Sequence, residues 1–179
     1  MSPVAQPAPP EGFAAVAGSD ALWKALTQQG NAARASGDAA AARALYEDAL
    51  AEAERVFATA RLGLMPDAAA LAPVLYNISC SNLAQHRLEL GDAQGALQAR
   101  ERAFERLEQT AGDTPAAATP APLELRVSCA RHLQVAAAAL VEALLERGAY
   151  ERAEACVRRA NAAIFAAVEL ARTSAQSEG

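Results

Sequence analysis

Residues 30–49 read GNAARASGDAAAARALYEDA, and the turn at their centre, Gly37-Asp38, decides the fold. It sits between two long helix-favouring runs. Glycine takes the positive φ that ends one helix, and the aspartate that follows caps the next by accepting from its free N–H groups. Gly30 lies seven residues before the turn glycine, with Ala42 five and Ala49 twelve residues after it. The same offsets recur around Gly91-Asp92, with Ala84, Ala96 and Ala103. They recur again around Gly148-Ala149-Tyr150, with Val141, Ala153 and Ala160. Small residues seven apart share one helix face and let two helix axes approach closely. Three recurrences make an internal repeat. Tyr46, nine residues past the first turn glycine, is placed to fill the gap beside Ala42 and Ala49.

This pattern resembles the tetratricopeptide repeat, a helix–turn–helix unit that stacks into a superhelix with a concave binding face. The first unit carries Trp23, Leu26, Gly30, Gly37-Asp38, Ala42, Tyr46 and Ala49. The second carries Leu83, Ala84, Gly91-Asp92, Ala96 and Ala103, with Arg100 where an aromatic is usual. The third carries Leu140, Gly148, Tyr150, Ala153 and Ala160, with Val141 and Val157 at the other signature places. The resemblance spans residues 20 to 172. It departs from the family in period: about 34 residues is usual, whereas the turn glycines here are 54 and 57 residues apart. Longer helices and longer links account for the difference. The resemblance implies an all-α fold of three stacked hairpins with unusually long helices, in a right-handed superhelical array. The repeats fall at about 20–62, 73–111 and 123–173, within a domain at 19–174.

Composition fits that fold. Hydrophobic residues make up 53% of the chain and aromatics only 4%. A core of this kind is built from close helix–helix contacts rather than large side chains. One domain of 179 residues is long enough for a substantial core. The net charge of −5 argues against nucleic acid as a partner. Cys80, Cys129 and Cys156 are too few and too widely spaced for a disulfide framework, and read as small buried hydrophobes in a reducing, cytoplasmic compartment. The N-terminus has no basic residue before its apolar part and is a poor signal peptide. The longest apolar run, Val135 to Leu145, is interrupted by Glu142 and is too short to span a bilayer, so no membrane insertion is expected.

Residues 1–18, with Pro3, Pro7, Pro9 and Pro10 among alanines, are expected to be a disordered tail, as are residues 175–179. The first helix should run from Ser19 or Asp20 to Ser36, and the second from Asp38 to about Leu62, ended by Gly63 and Pro66. Asp67 to Ala72 form a possible extra turn before a third helix that begins near Pro73 and continues to Leu90. The fourth runs from Asp92 to about Thr110, followed by a mobile, proline- and alanine-rich link at 112–122. The fifth spans about Leu123 to Arg147, and its apolar centre should make it the most enclosed. The sixth spans Tyr150 to about Thr173, with an inward stripe of Ala153, Cys156, Val157, Ala160, Ile164, Phe165 and Val168. Such a one-sided last helix leaves little to cover, which favours a monomer or a weak homodimer.

In this fold the first helix of each pair lines the concave face. That places Lys24, Thr27, Gln28, Asn31 and Arg34 there from the first unit, and Ile78, Ser81, Asn82, Gln85 and Glu89 from the second. The third contributes Val135, Ala138, Ala139 and Glu142, with Arg131 one turn earlier. An amide both donates and accepts, so it reads a peptide backbone without demanding a sequence. Gly30-Asn31 and Ser81-Asn82 also resemble the carboxylate-clamp repeats that hold the acidic C-terminal tails of heat-shock chaperones. That family uses a lysine four residues before the first asparagine, where this chain has Thr27. Its third-unit basic pair falls here at Val135 and Ala139. Lys24, Arg34 and Arg131 are the cations available instead.

Cys129 and His132 share a helix face, but no further ligands at matching spacing accompany them, and His86 stands alone. No nucleophile–base set, phosphate loop or paired-carboxylate motif is present. Glu47, Asp48, Glu52 and Glu54 interleave with Arg43 and Arg55 as a solvated face. The sequence therefore points to a non-enzymatic module without cofactor or metal. It would bind a peptide or protein segment in its concave groove as an adaptor or chaperone, similar in kind to the repeat chaperones of bacterial secretion systems. The alternative is a self-associating structural protein that uses the outer face of its last helix or its third–fourth helix pair.

Overall fold

In a computed structural model, residues 11–65, 67–113 and 119–177 are described, with side chains from residue 20 onward. These residues form six α-helices and no strand. The helices are α1 (Glu11–Ala35), α2 (Ala39–Arg61), α3 (Ala68–Glu89), α4 (Ala93–Ala111), α5 (Leu123–Leu145) and α6 (Tyr150–Ser177).

The three Gly-centred turns close in one way. The residue after the glycine donates its N–H five residues back, and the glycine donates three back. The bonds are Asp38 to Ala33 with Gly37 to Arg34, Asp92 to Arg87 with Gly91 to Leu88, and Ala149 to Leu144 with Gly148 to Leu145. The glycines take φ of 83°, 77° and 70°. An L side chain enters that region at a cost of roughly 1–2 kcal/mol. Asp38 then accepts from the Ala41 N–H at 3.0 Å, and Asp92 from the Gly95 N–H at 2.8 Å. Each satisfies one of the free donors at the start of α2 and α4. The third turn has Ala149 at that place, which offers no side-chain acceptor.

Each helix packs on the next; in addition α3 touches α1 and α5, and α4 touches α6. Long-range side-chain bonds fix the registers. The Trp23 indole donates to Ser79 Oγ at 2.8 Å, 56 residues away, and Ser128 Oγ donates to the Ala70 carbonyl, 58 away. On the other layer Arg102 pairs with Glu54 across 48 residues, and Arg152 and Arg159 pair with Glu101 and Glu108 across 51. Thus α1, α3 and α5 run one way and α2, α4 and α6 the other.

Aromatic pins complete a core of small residues. Tyr46, Phe57, Tyr76 and Phe104 are fully buried, among alanines such as Ala42, Ala53, Ala72 and Ala143. Phe57 and Tyr76 pack with ring centroids 5.6 Å apart, and the Arg106 guanidinium lies 5.7 Å and 5.8 Å from the two rings. Tyr46 lies against Gly30 so closely that a Cβ there would stand 2.8 Å from its ring. The close approach inferred from small residues is real at this crossing.

Several expectations change. α1 starts at Glu11, upstream of the anticipated Ser19 or Asp20: residues 11–17 contain no proline, and their three alanines support the helix despite Gly12. Residues 11–18 are therefore helical rather than a loose tail, and residues 1–10 lie outside the described residues. α6 continues to Ser177, through most of the C-terminal stretch read as disordered. Residues 114–118 of the expected link are not described. In its described part Asp113 pairs with Arg61 and accepts the Ala121 N–H at 3.1 Å. The extra turn before Pro73 is continuous with α3. Pro73 is the sixth residue of α3, past the first turn, so the helix forgoes the bond that its N–H would make to the Ala69 carbonyl.

The most enclosed helix is α3, flanked by four others, and not α5. Val135 and Leu145 of α5 are 60% and 45% exposed. By length and hydropathy α5 is nonetheless sufficient to cross a membrane, which the Val135–Leu145 run alone is not. About half of its apolar window is covered by neighbouring helices. α6 is also turned relative to expectation. Ala153, Cys156, Ala160, Ala163 and Ala167 face inward, while Val157, Phe165 and Val168 face out. Close packing on α4 and α5 selects the small residues and rotates the large ones to the surface.

Candidate interaction surface

The exposed stripe of α1, α3 and α5 is built by the same packing that buries their inner faces. On α3 it runs through Ile78, Ser81, Gln85 and Glu89, and on α5 through Val135, Ala138 and Glu142. On α1 it holds Lys24, Gln28, Asn31 and Arg34. An Arg34–Glu89 ion pair at 3.0 Å ties the α1 and α3 stripes edge to edge.

Most polar groups named from sequence already have internal partners. Lys24 pairs with Asp20. Asn31 Oδ1 accepts from the Tyr46 hydroxyl at 2.7 Å, so it positions the core tyrosine. Gln85 donates to Glu89 at 3.0 Å, which makes Glu89 an acidic hub between Gln85 and Arg34. Ser81 Oγ donates to the Asn77 carbonyl one turn back. Thr27 is half-buried, and its hydroxyl is enclosed with no hydrogen-bond partner among the described residues. Gln28, Asn82 and Arg131 carry no hydrogen bond or ion pair among the described residues.

Arg131 does not join the others. It stands on the wall of a separate groove between α5 and α6, of about 500 Å³, walled by Val127, Ala130, Ile164 and Val168 and also lined by Arg172. Sequence reasoning missed this groove. The available signal was the second apolar stripe on α6, which includes Phe165 and Val168.

The chain belongs to the family described as "Protein of unknown function (DUF2753)". The match covers residues 21–175, which takes in nearly all the described helices. No curated protein and no solved structure matches the chain.

The titratable groups are arranged for packing. Burial pushes the Cys80 and Cys129 thiols up to about 12, and raises that of Cys156. All three are free and buried. A thiol held protonated is neither a nucleophile nor a ready metal ligand. His86 is buried against the edge of Tyr46, with Nε2 3.0 Å from the Ala39 carbonyl. Burial, then the neighbouring Arg131 charge, lowers the His132 pKa. Among the described residues no three His, Cys, Asp or Glu side chains converge as a metal site.

Proposed function

We propose that the chain is a non-enzymatic helical-repeat module of tetratricopeptide type. Its three hairpins stack in a right-handed array and bind a peptide or protein segment along the α1–α3–α5 stripe, in the manner of a cytoplasmic adaptor or chaperone. The identical closure of the three turns and the nearly constant offsets between alternate helices support the repeat reading. The observation that carries the binding reading is the stripe's chemistry. Ile78 and Val135, 39% and 60% exposed, offer apolar surface to a segment. The unpartnered amides of Gln28 and Asn82 flank them and hold its backbone. Asn31 supports the site indirectly, through Tyr46. With Arg34 held by Glu89 and Lys24 by Asp20, the surface suits an uncharged or mixed segment better than a bare terminal carboxylate.

The test is affinity capture from the source cell extract with wild type, Ile78→Asp/Val135→Asp and Asn82→Ala. The double variant should lose the bound proteins, and Asn82→Ala should retain them more weakly. Recovery of the same proteins at equal yield by all three would rule out this surface.

A further inference from the structure

The outer face of α6 carries a regular seam. Glu151, Glu154, Arg158, Asn161, Phe165, Val168, Arg172 and Ala175 are all exposed, and their spacings alternate between three and four residues. That is the spacing of a helix that packs against another helix. Phe165 is 67% exposed, and Tyr150 and Val157 beside the seam are 68% and 44% exposed. Next to the C-terminal half of the seam lies the α5–α6 groove, apolar inside, with Arg131 and Arg172 in its lining.

The order of residues along the seam identifies the occupant. The N-terminal half is acidic at its start, with Glu151 and Glu154. The C-terminal half ends on Arg172, with Arg131 alongside. Two parallel copies would set acid on acid and base on base. Antiparallel copies, related by a two-fold axis at the level of Ala163, match at every layer. Asn161 meets the partner's Phe165, and Arg158 lays its stem on the partner's Val168. Glu154, paired with Arg158 in the single chain, faces the partner's Arg172, itself paired with Glu169, so the contact joins two exposed intrahelical pairs, each weak alone, into one network at the mouth of the groove beside the partner's Arg131. Glu151 falls over the partner's Ala175. Tyr150 and Val157 flank the half of the helix that lies along the groove and supply apolar groups to fill it. Such an interface is self-complementary, as two-fold symmetry requires. We infer that α6 is a homodimerisation helix, and that the α5–α6 groove receives the N-terminal half of α6 from a second copy.

Sedimentation equilibrium over a concentration series tests this on the full chain, with circular dichroism to confirm folding of each variant. Wild type should dimerise, and Phe165→Glu should be monomeric. Glu154→Arg and Arg172→Glu should each weaken the dimer by about tenfold, because each reversal places like charges together twice. The double variant Glu154→Arg/Arg172→Glu should return close to wild-type affinity, since the reversed charges meet again across the axis. A wild-type chain that stays monomeric overturns the inference and leaves the groove to an acidic helix of another protein. A dimer that Phe165→Glu leaves intact, or one that the double reversal fails to restore, also overturns it. The binding stripe on α1, α3 and α5 is untouched by these variants.

Discussion

The first and last helix pairs share one turn geometry and differ in how they use it. Nine residues past the turn glycine, the first pair has Tyr46, 1% exposed, and the last has Val157, 44% exposed. Seven residues before the turn, the first pair has Gly30, which gives way to the tyrosine ring, and the last has the half-buried Val141. Identical backbone chemistry therefore closes a locked pair at one end and a pair with a free outer face at the other. The lock consists of one aromatic ring seated on one missing Cβ, fastened by the Tyr46–Asn31 hydrogen bond.

The contrast can be broken most forcefully at the equivalent ninth positions. Tyr46→Ala should cost about 3–5 kcal/mol in urea unfolding, as removal of a fully buried aromatic does. Val157→Ala, at concentrations where the chain is monomeric, should cost no more than ~0.5 kcal/mol, the range for exposed sites. Similar losses at both would show that the last pair is locked as well. A smaller effect is expected at Gly30→Ala. The added methyl has no room beside the tyrosine ring, and overpacking of this kind costs about 1–3 kcal/mol. Thermal unfolding would measure it, and an unchanged melting curve would mean that Tyr46 moves aside freely. The smallest effect concerns thiols. In the native protein at ~pH 8, Cys80 and Cys129 should resist alkylation because their thiolate forms are suppressed. Cys156, 4% exposed on the inner face of α6, should be labelled first, as read by peptide mass spectrometry. Equal labelling of all three would contradict the graded enclosure.

What could be read from the chain alone follows the range of the forces involved. The turns were legible because glycine and aspartate act on their immediate neighbours, and Gly37, Gly91 and Gly148 each end a helix with positive φ. The face that α6 buries was not legible. Its alanine stripe and its Val157–Phe165–Val168 stripe are both apolar, and only the closeness of α4 and α5 chooses between them. The start of α1 was obscured by proline and alanine in its flanking composition. At the candidate site the positions were readable from helical spacing. Their occupancy was not, because Asn31, Arg34 and Gln85 are engaged by Tyr46 and Glu89, partners that only tertiary folding brings near.

The hydropathy of α5 bears on how the chain is made. Its 23 residues are apolar enough to enter a bilayer, and their cover comes from α3 and α4 on one side and α6 on the other. During synthesis α3 and α4 precede it, but α6 emerges after it. For that interval a greasy segment stands half-wrapped, and its fate turns on how fast α6 folds down over it.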